Sequence, residues 1–112
     1  MPWNIILRNL SCIGDRANLY SLESIDVGEE AIIAQEVYLC TGTHVFHDVG
    51  MPLALKGIRI GRRAFVGARV FVLPGITIGD GAIVGACSVV TRDIQAFTSN
   101  AGNPCRCIAF GT

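Results

Sequence analysis

Residues 60–95 read IGRRAF, VGARVF, VLPGIT, IGDGAI, VGACSV and VTRDIQ, six consecutive blocks of six without a gap. The first place of every block is aliphatic: Ile60, Val66, Val72, Ile78, Val84 and Val90. The fifth is small or aliphatic (Ala64, Val70, Ile76, Ala82, Ser88, Ile94), and the second is Gly in four of the six. A period of six fits neither an α-helix nor a simple alternating strand. It fits very short strands joined by sharp turns, each sending one bulky and one smaller side chain inward. Three such strands close a triangular coil of 18 residues, and coils stack by parallel hydrogen bonding about 4.8 Å apart. Gly at the second place suits a turn that needs unusual backbone angles or a close approach.

The front half repeats this pattern in two other phases. Leu7, Ile13 and Leu19 open one trio; Val27, Ile33 and Leu39 open the next, after a two-residue insertion at Ile25-Asp26. The reading is therefore an all-β solenoid of about four coils, 7–24, 27–44, 60–77 and 78–95, with little helix. Between them, residues 45–59 (VFHDVGMPLALKGIR) break the phase and must leave the triangular body. Loops on rigid scaffolds are frequent sites of function. The apolar stretch Met51–Leu55 within this one favours packing against another subunit. The body is thus expected over 1–95, and the tail 96–112 is expected to cross back over the last coil as a cap.

Composition narrows the function. The 112 residues carry nine Lys+Arg and nine Asp+Glu, which argues against a generic nucleic-acid binder. With 51% hydrophobic and 16% charged residues the chain is not a disordered one. No apolar run reaches the roughly 20 residues of a membrane span, and no signal peptide is evident, so a soluble cytoplasmic protein is expected. Charge is uneven: residues 1–56 hold three cations against seven acids, and residues 57–112 six arginines against two acids. An anionic ligand would dock toward the rear. Five cysteines (Cys12, Cys40, Cys87, Cys105, Cys107) at irregular spacing argue against a disulfide framework or a metal site, and read as small, mostly buried hydrophobes.

The segment YLCTGTHVFHD, the hexads from Ile60 and the tail VVTRDIQAFTSNAGNPCRCI resemble the hexapeptide-repeat acyltransferases that use acetyl-coenzyme A. Among them the likeness is greatest to colanic-acid-type sugar O-acetyltransferases, with galactoside and maltose acetyltransferases more distant. The chain is short at its N-terminus beside those relatives. The resemblance implies a left-handed parallel β-helix, against the usual right-handed crossover preference. It also implies acetyl-CoA as co-substrate with no tightly bound cofactor, a sugar or saccharide acceptor, and a homotrimer whose sites lie between subunits.

The resemblance assigns residues as well. His44, at the base of the loop, would be the general base, and an imidazole with pKa about 6.5 suits proton removal from an alcohol at neutral pH. His47, followed by Asp48, is the runner-up base; both, with Phe65, are candidates to line the site. The turn at Gly67-Ala68 would supply backbone N–H groups to the oxyanion and leave room for the acyl group. Gly85-Ala86 would hold the pantetheine arm, and Arg92 and Arg106 the phosphates, for which guanidinium has the right geometry. Direct transfer in a ternary complex is expected. A Cys40–His44 covalent route is disfavoured because Cys40 holds a second hexad place. A non-catalytic or truncated solenoid that oligomerises without turnover is the alternative.

Overall fold

The structure, a computed structural model, describes residues 5–20, 24–44 and 53–111. Three short strands make each coil. The first coil has β1 (Ile5–Leu7), β2 (Cys12–Ile13) and β3 (Asn18–Tyr20). The second has β4 (Ile25–Val27), β5 (Ile32–Ile33) and β6 (Tyr38–Cys40), and is followed by an antiparallel ribbon of β7 (Gly42–His44) and β8 (Leu53–Leu55). The third has β9 (Ile58–Ile60), β10 (Phe65–Val66) and β11 (Phe71–Val72), and the fourth β12 (Thr77–Ile78), β13 (Ile83–Val84) and β14 (Val89–Val90). Then come β15 (Thr98–Ala101) and β16 (Arg106–Phe110). The result is a left-handed parallel β-helix, with no helix among the described residues.

The prism has three faces. Face 1 orders β1-β4-β9-β12, face 2 orders β2-β5-β10-β13-β15-β16, and face 3 orders β3-β6-β11-β14. The first hexad places fall into register along each face: Leu7, Val27, Ile60, Ile78; Ile13, Ile33, Val66, Val84; Leu19, Leu39, Val72, Val90. From the second coil on, these rows and the fifth-place residues between them are buried. Each fully buried aliphatic contributes about 1.5–3 kcal/mol, so this inner column is the main stabilising term.

The corners differ from the sequence expectation in one respect. Left-handed backbone falls at the fourth hexad place, at Leu10, Arg16, Glu30, Glu36, Arg63, Arg69 and Cys87 as well as Gly75 and Gly81, and not at the second-place glycines. At Glu30, Glu36, Arg63, Arg69 and Cys87 the N–H donates to the third-place carbonyl of the coil before, as in Arg63 to Glu29 and Cys87 to Ala68, which holds the conformation without glycine. The second-place glycines answer to space. A Cβ on Gly67 would lie 2.8 Å from the Ala86 nitrogen.

Other expectations are refined. Ile25 and Asp26 are not an insertion: Ile25 is fully buried and pairs with Ile5, and both residues belong to β4. The loop proposed at 45–59 ends earlier, because Ile58 and Arg59 already lie in face 1 beside β4; its segment Leu53–Leu55 is strand, and 45–52 lie outside the described residues. The cysteines are not mostly buried. Cys40 and Cys105 are, but Cys12, Cys87 and Cys107 occupy outward or corner positions and are exposed; no disulfide joins any of the five. After the fourth coil, Ile94 bridges Ile78, β15 adds a parallel fifth level to face 2, and β16 turns back antiparallel on β15.

Ion pairs join neighbouring coils. Arg8 binds Asp26 through both guanidinium edges (2.8 and 2.9 Å). Glu30–Arg63 and Glu36–Arg69, each 3.4 Å, link the coils before and after the ribbon. Such exposed pairs are worth about 0–1 kcal/mol.

Candidate active site

The corner between faces 2 and 3 carries small residues at the second and third hexad places of the third and fourth coils, with the Arg69–Glu36 ion pair beside them. Gly67-Ala68 and Gly85-Ala86 stack there on successive coils, one level or about 4.8 Å apart. The columns beside the corner are largely apolar. Face 2 presents Ile32, Phe65 and Ile83 in register, with Phe65 41% exposed. Face 3 presents Tyr38 and Phe71, whose rings stack at 4.9 Å. Face 1 instead shows Asp26, Arg59 and Thr77. A slender arm laid on this corner meets small side chains beneath and apolar walls on both sides.

Backbone donors distinguish the two residues of each turn. The N–H of Gly67 donates to Val84 O and that of Gly85 to Asn100 O, both at 2.8 Å, so neither glycine can serve as an oxyanion donor. Ala68 is different. At the same hexad place on another corner, Arg62 donates its N–H to the Asp80 carboxylate 18 residues on, at 2.8 Å. The residue 18 after Ala68 is Ala86, whose methyl accepts nothing, and the Ala68 N–H has no acceptor among the described residues. Of the expected pair, Ala68 therefore carries the free donor.

His44 ends β7 and its backbone pairs with Leu53; Lys56 N–H donates to Thr41 O at 3.0 Å and closes the ribbon's base. The ribbon leaves from the corner between faces 3 and 1. Within one chain His44 and Ala68 thus belong to different corners, with the whole of face 3 between them. The structure does not bring them together in a single subunit. His47 and Asp48 lie outside the described residues.

Arg92 and Arg106 do meet. Both line a cavity of about 370 Å³ at the C-terminal end of the column, with Thr98, Asn100 and Cys105. Here the inner row of face 2 turns polar, since Asn100 follows Val84. Asn100 Nδ2 donates to Thr98 Oγ1 at 2.9 Å, and Thr98 Oγ1 to Gln95 O at 2.6 Å. Ser88 Oγ donates to Gly85 O at 2.7 Å and accepts Gly102 N–H at 3.0 Å. Asp93 lines it too, its carboxylate accepting the Thr77 N–H at 2.8 Å; two arginines against this one acid, over a satisfied polar floor, suit an anion. Burial pushes the Cys105 thiol pKa up, against a hydrogen bond with Ser88 and the charge of Arg106. Sequence reasoning missed Thr98 and Asn100 because they lie beyond the last hexad; polar residues ahead of NPCR were the only signal.

Comparison with known proteins bears on the fold and the family. Residues 57–92 match the family described as bacterial transferase hexapeptide (six repeats). The chain is 40% identical over 103 residues to the protein named colanic acid biosynthesis acetyltransferase WcaF of Escherichia coli, covering 92% of this chain and 57% of that one. The crystal structure of a maltose O-acetyltransferase from Clostridium difficile 630 superposes with TM-score 0.93 at 31% identity, over 98% of this chain and 60% of that one. A galactoside acetyltransferase in complex with coenzyme A superposes with TM-score 0.78 at 31% identity, over 88% of this chain and 54% of that one. The chain therefore spans a little over half the length of each of these relatives.

Proposed function

The chain is a hexapeptide-repeat β-helix related to sugar O-acetyltransferases, and on that premise we propose that it moves an acetyl group from acetyl-CoA to a sugar hydroxyl. The observation that carries this reading is the Ala68 N–H on an apolar-walled corner of stacked small residues, the place for a thioester carbonyl and its arm. The coenzyme A complex of a 31%-identical neighbour supports it. The sugar class follows the names of the relatives.

The chemistry runs in one ternary complex. His44 takes the proton of the acceptor hydroxyl as its oxygen attacks the acetyl carbon. The carbonyl oxygen gains negative charge, which the Ala68 N–H stabilises. The C–S bond then breaks, and the proton on His44 passes to the departing thiolate, giving free coenzyme A and an acetyl ester. Gly85-Ala86 flank the pantetheine arm, and Arg92 and Arg106 bind phosphate. Phe65 walls the acyl end.

His44 and Ala68 sit on different corners, so a complete site draws the ribbon from one copy and the corner from another. This is the reason to assign a homotrimer. The cytoplasm, where acetyl-CoA is made, is the assigned compartment. The test is release of coenzyme A thiol from acetyl-CoA with saccharide acceptors, comparing the parent with His44→Ala. Loss of about 10²–10⁴-fold in rate at unchanged Tm is expected. An unchanged rate removes His44 as base, and no acceptor-dependent release from the parent leaves a non-catalytic solenoid.

A further inference from the structure

Phe97 is an aromatic residue in left-handed backbone (φ 56°), and its side chain is largely in solvent, at 59% exposure. That conformation is unfavourable for a bulky residue, and a ring left in water adds little to folding. Its neighbours nevertheless fix it from both sides. The Phe97 N–H donates to Asp80 O at 2.9 Å, and its carbonyl accepts Gly111 N–H at 2.7 Å. The ring lies over Gly81, where a Cβ would come within 2.5 Å of Phe97 Cδ1. The backbone angle is the ordinary corner geometry of this fold, shared with Glu30, Arg63 and Cys87; what sets Phe97 apart is an aromatic ring fixed at its corner and left open to solvent.

The ring closes one side of a cleft of about 600 Å³ with Phe65, Ile83, Arg62, Arg63 and Asp80, whose carboxylate is already engaged by the Arg62 N–H; the volume suits a small molecule. The Arg62 backbone is anchored by Asp80, and its guanidinium has no ion pair among the described residues; Arg63 reaches Glu30 only at 3.4 Å. Aromatic faces take a planar ring, and a guanidinium takes a phosphate. We propose that the Phe97–Arg62 cleft binds a nucleotide, its base against Phe97 and its phosphate on Arg62. The cleft shares Phe65 and Ile83 with the wall of the acyl-donor corner but takes in neither His44 nor the Ala68 turn, so this inference adds a second ligand to the proposed acetyl transfer. The ligand is a free nucleotide, and competition tells it from coenzyme A, whose phosphates the proposed function gives to Arg92 and Arg106.

Calorimetry on the full chain with AMP and UMP, and with adenosine and ribose 5-phosphate as half-ligands, tests it. One of the nucleotides binds saturably below about 1 mM, each half-ligand about tenfold or more weaker. Phe97→Gly, which accepts the backbone angle, weakens the nucleotide about tenfold without lowering Tm. Arg62→Ala weakens the nucleotide but not adenosine. Persistence of the nucleotide in the presence of coenzyme A supports a separate ligand; its displacement by coenzyme A overturns the proposal. The proposal fails if neither nucleotide binds, or if Phe97→Gly binds as the parent does. It fails equally if Phe97→Gly changes only the oligomeric state.

Discussion

The carboxylate of Asp80 accepts the backbone N–H of Arg62 at 2.8 Å from the next coil, and Ala86 stands in the same relation to Ala68. One corner amide is capped and its counterpart is open. Ala86→Asn and Ala86→Asp each place an acceptor over the Ala68 N–H. Both should lower kcat about 10²-fold or more, with Tm held or raised, since a corner hydrogen bond adds about 1 kcal/mol. The neutral Asn variant separates capping from repulsion of coenzyme A phosphates. Full kcat in Ala86→Asn means that the Ala68 amide is not the oxyanion donor.

A site shared between copies makes a prediction about mixtures. His44→Ala lacks the base and Ala86→Asn lacks the open amide, so each alone is nearly inactive. Co-expressed, they should recover about a quarter of parental activity, because one interface in four joins an intact His44 to an intact corner. Activity no higher than the two variants measured apart places the site within one subunit.

Burial ranks the inner rows. Ile78 is fully buried, whereas Leu7, in the same row at the open end, is 51% exposed. Ile78→Ala should cost about 2–5 kcal/mol in urea unfolding, and Leu7→Ala well under that. Equal losses would mean that the first coil is covered in solution.

Cys105 holds its proton more tightly folded than unfolded, chiefly through burial, with Ser88 and Arg106 acting the other way. The stability this contributes is complete below the unfolded thiol's pKa and is lost as pH rises through the folded value. Between about pH 8 and pH 10, Tm should fall more steeply in the parent than in Cys105→Ala, whatever their absolute values. Parallel slopes would show that this thiol does not titrate with unfolding.

The column was legible because inward aliphatics must recur once per strand, and Ile60, Val66 and Val72 do so without interruption. Its left hand was not, since the same spacing would serve either winding; that came from resemblance. The left-handed corners at Glu30, Glu36, Arg63 and Arg69 carry no glycine to announce them, because the adjoining coil holds their backbone. Gly67 and Ala68 could be named as a turn, but which of the two keeps an open N–H depends on Val84 and Ala86, a full coil away. The separation of His44 from that turn emerges only once the triangle closes.

The ribbon interrupts the chain between coils that are nonetheless in register on all three faces, through Val27–Ile60, Ile33–Val66 and Leu39–Val72. Alignment of the column therefore owes nothing to what the ribbon contains. Its length and composition are at liberty to drift while the stacked coils stay as they are. A foreign ribbon grafted between Thr41 and Lys56 should accordingly leave the scaffold standing.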